Sequence, residues 1–79
     1  VKPSDKQRQA VIANVAKALR DTRVRKGLSM SAVAERAGIS QQMVSYVERQ
    51  MRMPTIDTVL RMSEALAIDP SELLRKARD

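Results

Sequence analysis

The chain has no cysteine, no histidine, no phenylalanine and no tryptophan. Without cysteine there is no disulfide framework and no thiolate metal site. Without histidine the usual zinc ligand and the side chain that titrates near neutral pH are missing too. No nucleophile, base and pocket can be assembled from what remains, so no enzyme activity, metal or cofactor is expected. The single aromatic is Tyr46, and only two glycines and three prolines punctuate the 79 residues. A core made of Val, Ile, Leu, Met and Ala favours several small helices over a sheet. No apolar run approaches the ~20 residues of a membrane span and no signal-peptide core is present, so a cytoplasmic location away from membranes is expected.

What the chain does have is positive charge. Fifteen Lys and Arg against nine Asp and Glu give a net charge of +6, the footprint expected of a polyanion binder. Its length is that of one domain, burying about 60% of the unfolded chain's surface. It opens on Val1 rather than Met and stops at Asp79 within a helical pattern, as expected of a trimmed protein or a domain cut from a longer one. There are no repeats and no low-complexity segments.

Helix signals account for nearly all of it. Residues 1–4 are expected to be a disordered tail of the single domain 1–79. Ser4-Asp5-Lys6-Gln7 has the form of a capping box that starts the first helix. Val11, Ile12, Val15, Ala16 and Leu19 recur at helical spacing, and Arg25, Lys26 and Gly27 supply a cationic last turn and a stop. Its first turns, around Lys6 to Ala13, carry few large apolar residues and are expected to project past the core as a solvated segment or a contact arm. Ser29 is the natural cap of a second helix from Met30 to Ala37, which Gly38 ends. Ser40 caps a third, running to about Arg49. Thr55 precedes Ile56, Val59, Leu60 and Ser63 as the cap of a fourth, ending near Leu66. Asp69-Pro70-Ser71-Glu72 combines a cap, a proline at the first helical position and a carboxylate at the third.

The stretch from Ala32 to Arg49 is the informative one. Val33, Ala34 and Ala37 form a short apolar face, Gly38 and Ser40 interrupt it, and Val44 and Val47 begin a second. Two short helices joined at a sharp corner are a helix-turn-helix, with its core at 29–49. The outward face of the later helix carries Gln41, Gln42, Ser45, Tyr46 and Arg49, polar side chains with no core to fill.

From Leu28 onward the chain resembles the Cro/C1-type helix-turn-helix family, also called the xenobiotic-response-element or phage-repressor-like family. The resemblance rests on Leu28-Ser29, Val33-Ala34, Ala37-Gly38-Ile39-Ser40, Val44-Ser45, Val47-Glu48-Arg49, Pro54-Thr55, and Leu66 followed by Asp69 to Leu73. It implies an all-α, five-helix lambda-repressor-like DNA-binding domain, here with an extended first helix. It also implies that the third helix lies in the major groove while the second crosses the phosphates. Gln41 and Gln42 each offer the acceptor and donor that match adenine N6 and N7, so A·T-containing half-sites are expected, with Ser45 and Tyr46 sharing the same face. Tyr46 has two other readings, a hydroxyl on phosphate or a ring shielding the core. Met43 has two readings as well, packing first and a thymine contact second. Phosphate contacts are expected from Ser29, Met30 through its amide, Ser40, Arg49 and Arg52. Arg20, Arg61 and Arg78 are expected to be a solvated face.

The resemblance also pairs Glu48 with Arg23 as a structural bridge rather than a catalytic carboxylate. Gln50 stands where the family usually carries glycine, and Ala67 where it carries glycine or asparagine, which strains any left-handed turn there. Thr22 stands where they prefer a large aliphatic residue. The implied function is a transcriptional regulator of bacterial or phage type, a repressor acting as a homodimer on a palindromic double-stranded operator. Ile68, Leu73 and Leu74 are the dimer-interface candidates, with ordinary core closure as the other reading, for Leu73 above all. The alternative is a protein-interaction module, an antitoxin or adaptor that presents Met51 and Met53 to a protein partner.

Overall fold

In the computed structural model, which describes residues 3–79, five α-helices follow one another. They are α1 (Pro3–Arg25), α2 (Met30–Ala37), α3 (Gln41–Glu48), α4 (Ile56–Ala65) and α5 (Pro70–Arg78). No strand occurs among the described residues. The first helix begins one residue before the expected cap. Proline suits a first helical position because its missing N–H has no intrahelical acceptor there, so Pro3 and Ser4 are helical rather than tail. Ser4 is not the cap, and Asp5 pairs with Arg8 at 2.8 Å instead. Residues 1 and 2 of the expected tail lie outside the described residues.

At 23 residues, about 34 Å at 1.5 Å per residue, α1 accounts for most of the molecule's longest extent of 38 Å. It packs against α5 and α3, while α2 packs against α3 and α4. Leu19, Val33, Val44, Val47, Met62 and Leu66 meet at the centre, each at most 1% exposed. The core is aliphatic throughout, as the composition requires. The early turns of α1 are half-buried at Val11 and Ile12 and exposed from Lys6 to Ala10.

Side-chain caps set the helix starts. Ser29, Ser40 and Thr55 each accept the amide three residues on, at 3.0, 3.0 and 3.1 Å, and Asp69 accepts the Ser71 amide at 2.9 Å. Ile56 and Leu60 are 79% and 43% exposed, and the buried stripe of α4 runs through Met62 and Ser63. Leu73 is 4% exposed and belongs to the core, because α5 lays its Leu73–Ala77 stripe onto α1. It is therefore not available as a dimer contact.

Candidate nucleic-acid interface

The corner between α2 and α3 is made by backbone. Gly38 sits at φ 70°, its amide closing onto the Ala34 and Glu35 carbonyls, and the Ile39 amide returns to Ala34 at 3.1 Å. A side chain at this φ is strained, and a Cβ would also stand 3.1 Å from the Arg61 guanidinium.

One ion pair fixes α3 against α1. Arg23 Nε and Nη2 donate to the two Glu48 oxygens at 2.7 and 2.9 Å, and Nη1 donates to the Leu28 carbonyl at 2.9 Å. The Glu48 side chain is 1% exposed and that of Arg23 13%. The carboxylate holds the Arg23 guanidinium above its ordinary range, chiefly through these hydrogen bonds, against a smaller opposing effect of burial. Glu48 thus points inward with Val44 and Val47, as expected, and keeps its charge off the outer face.

That outer face is what remains of α3. Gln41 and Gln42 are exposed, and Ser45 and Tyr46 are half-buried. Gln42 Nε2 donates to the Tyr46 hydroxyl at 2.6 Å, and the Arg52 guanidinium carbon lies 5.1 Å from the centre of the Tyr46 ring, within cation–π range. Met43 is half-buried against the core. Arg49 is exposed just past the last turn.

The two caps have a second capacity. The hydroxyls of Ser29 and Ser40 accept amides, so each still has its O–H to donate, and the first-turn amides of both helices lack intrahelical acceptors. Such a helix start suits an anion. Met30 packs its side chain against the core, leaving its peptide N–H as its polar contribution. Of the dimer candidates, Ile68 packs against the core, whereas Leu74 is 46% exposed.

Three polar ties were not foreseen. Arg61, expected to be solvated, pairs with Asp57 at 2.8 Å and donates to the Ala37 carbonyl at 3.2 Å, joining α4 to the end of α2. Asn14 donates to the Ala77 carbonyl at 2.8 Å, and Lys26 donates to the Leu66 carbonyl. Only the Asp57–Arg61 spacing of four was visible in the sequence.

A family model described as "Helix-turn-helix" matches residues 19–73. An uncharacterized HTH-type transcriptional regulator, y4dJ of Sinorhizobium fredii (strain NBRC 101917 / NGR234), is 37% identical over 67 residues, 85% of this chain and 82% of that protein. The restriction-modification controller protein C.AhdI from Aeromonas hydrophila superposes with a TM-score of 0.73 at 33% identity, covering 80% of this chain and 94% of the other. A point mutant of the restriction-modification controller protein C.Esp1396I superposes at 0.79 with 18% identity, covering 85% and 87%, a likeness of fold.

Proposed function

This chain belongs to the Helix-turn-helix family, and on that premise we propose that it is a DNA-binding transcription regulator that reads the major groove with α3. The observation that carries the reading is the division of α3 into two faces. Val44, Val47 and Glu48 are buried, while Gln41, Gln42, Ser45 and Tyr46 have side chains at or near the surface and are the proposed base contacts. The amides and hydroxyls at Ser29, Met30 and Ser40, with the cations Arg49 and Arg52, take the flanking phosphates.

One copy spans only a few base pairs. The regulator therefore acts as a homodimer on a palindromic operator, with A·T-containing half-sites about 34 Å apart, and functions as a repressor. Exposed apolar side chains give the second copy a place to dock. Met53, Ile56, Leu60 and Leu74 are 71%, 79%, 43% and 46% exposed and line a single cleft of about 290 Å³ together with Val11 and Ile12. The cleft has no charged residue among its lining, so two chains of +6 net charge can meet there without opposing like charges. This moves the interface from Ile68 and Leu73 to Leu74 and its neighbours on α4. No helix among the described residues is long and apolar enough to cross a membrane.

Selection of bound sequences from a random duplex pool tests the reading. A palindrome with adenine-bearing half-sites supports it, with affinity that falls steeply as salt rises. No enrichment refutes it and leaves the protein-interaction alternative, in which the same cleft and Met51 face a different protein.

A further inference from the structure

The two adjacent glutamines of α3 are not equivalent. Gln41 is exposed and makes no side-chain hydrogen bond among the described residues, whereas Gln42 Nε2 is bonded to the Tyr46 hydroxyl oxygen, one helical turn on, at 2.6 Å. Arg52, from the loop after α3, covers the same ring at 5.1 Å. The tyrosine is half-buried, so its ring is held from the core side, by the guanidinium and through its own hydroxyl.

This arrangement has a chemical direction. A phenol oxygen has one O–H and two lone pairs. With the Gln42 N–H on a lone pair, the Tyr46 proton is free to donate to a third group. The Gln42 amide, for its part, has one N–H committed and its plane fixed. A two-pronged adenine contact needs a glutamine oxygen and N–H aligned with N6 and N7; Gln42 keeps its oxygen and a second N–H, but their direction follows its bond to Tyr46, whereas Gln41 is free to turn.

Resting on the reading that α3 enters the major groove, we propose that Gln42 and Arg52 are positioning residues for Tyr46. The three side chains present one fixed O–H donor to the DNA, and Gln41 alone makes the two-pronged adenine contact. The Tyr46 donor matches an acceptor on a base edge, such as guanine O6 or N7 or thymine O4. Gln42 and Tyr46 then count as one reader on this face rather than two, beside Gln41 and Ser45.

A double-mutant cycle on the selected operator separates this from four independent contacts. Gln42→Ala and Tyr46→Phe are each expected to weaken binding about tenfold, the scale of one lost hydrogen bond between ordered groups. The double variant should be no weaker than either single. Both singles should relax base preference at the same operator position, and Gln41→Ala at a different one. Losses that multiply to about a hundredfold, with Gln42→Ala relaxing a position of its own, overturn the proposal.

A second measurement needs no DNA. The side-chain amide proton resonances of Gln42 should move on Tyr46→Phe and those of Gln41 should not, with thermal midpoints unchanged. Unmoved Gln42 signals overturn the positioning role. An unaltered chain that enriches no sequence from the pool overturns the DNA-reading premise itself, whatever the amide signals do.

Discussion

Replacing Arg23 by alanine should be among the most damaging single changes in this chain outside its apolar core. It would leave the Glu48 carboxylate, 1% exposed, without either of the bonds at 2.7 and 2.9 Å that hold it. A buried charge stripped of its partner costs about 3–5 kcal/mol. The 13% exposure of Arg23 opens a narrow route for water, so the lower end, about 3 kcal/mol, is expected. A domain this size has roughly 4–12 kcal/mol in total, and the midpoint of thermal unfolding should fall by roughly 12–24 °C. Glu48→Ala should cost less, because the orphaned guanidinium keeps its bond to the Leu28 carbonyl and can reach solvent. Arg23→Lys should not rescue, since an ammonium lacks the fork that meets both oxygens. Converting both to apolar residues, Arg23→Met with Glu48→Leu, should recover stability to within about 1 kcal/mol of the parent. Urea unfolding of the parent and the four variants at low and high salt measures this. Single-variant losses below about 1 kcal/mol that vanish in high salt are the signature of a surface pair, and that result refutes the role assigned to the bridge.

Ala67 adopts φ 56°, a left-handed conformation that costs an L-residue about 1–2 kcal/mol. Ala67→Gly should therefore raise stability in urea unfolding by about 0.5–1 kcal/mol after the glycine's extra unfolded-state entropy. The Ser63 hydroxyl is fully buried with no hydrogen-bond partner among the described residues, so Ser63→Ala should stabilise by about 1 kcal/mol, measured the same way. The Asp69 carboxyl is held below its ordinary range first by the Ser71 hydroxyl and then by the Ser71 amide. A lowered folded value means its contribution is complete above the ordinary aspartate range and disappears as pH falls through the lowered value. Asp69→Asn should flatten the acid limb of stability against pH, and an unchanged limb would count against the cap. Arg49→Ala should reduce the slope of log affinity against log salt by about 1 without altering base preference in the selection experiment.

Much of the fold was legible because its signals are local. Ser29, Ser40, Thr55 and Asp69 each cap the helix expected of them, and Gly27 and Gly38 end theirs, since caps depend on residues within one turn. The inward turn of Glu48 toward Arg23 was legible only through resemblance, the two being 25 residues apart in sequence. The ties from Asn14 to Ala77, Lys26 to Leu66 and Arg61 to Ala37 were not legible. Each sends a flexible polar side chain to a carbonyl on another helix or at its end, and nothing near the donor in sequence marks the acceptor. The exposure of Ile56 and Leu60 was not legible either. The apolar residues of α4 span a wider arc than one neighbouring surface can cover, and the core takes Met62 and Leu66, leaving the other edge for the cleft.

The helix ends connect these two kinds of information. Four helices close the same way, with a left-handed residue at position 27, 38, 50 or 67 at φ 70, 70, 60 and 56°. The next residue's amide then returns five positions, Leu28 to Arg23, Ile39 to Ala34, Met51 to Tyr46 and Ile68 to Ser63. An apolar residue follows the turn each time, as this closure favours. Glycine makes the turn twice, and Gln50 and Ala67 make it at a conformational cost. At Gln50 that turn has a further effect: it folds the chain back over the end of α3, ties the Met51 amide to the Tyr46 carbonyl at 2.9 Å, and brings Arg52 over the Tyr46 ring. A glycine at position 50 would relieve the strain while widening the conformations open to the loop. Stability and the placement of Arg52 should therefore respond to Gln50→Gly in opposite directions, the pattern expected where backbone strain is retained beside a recognition surface.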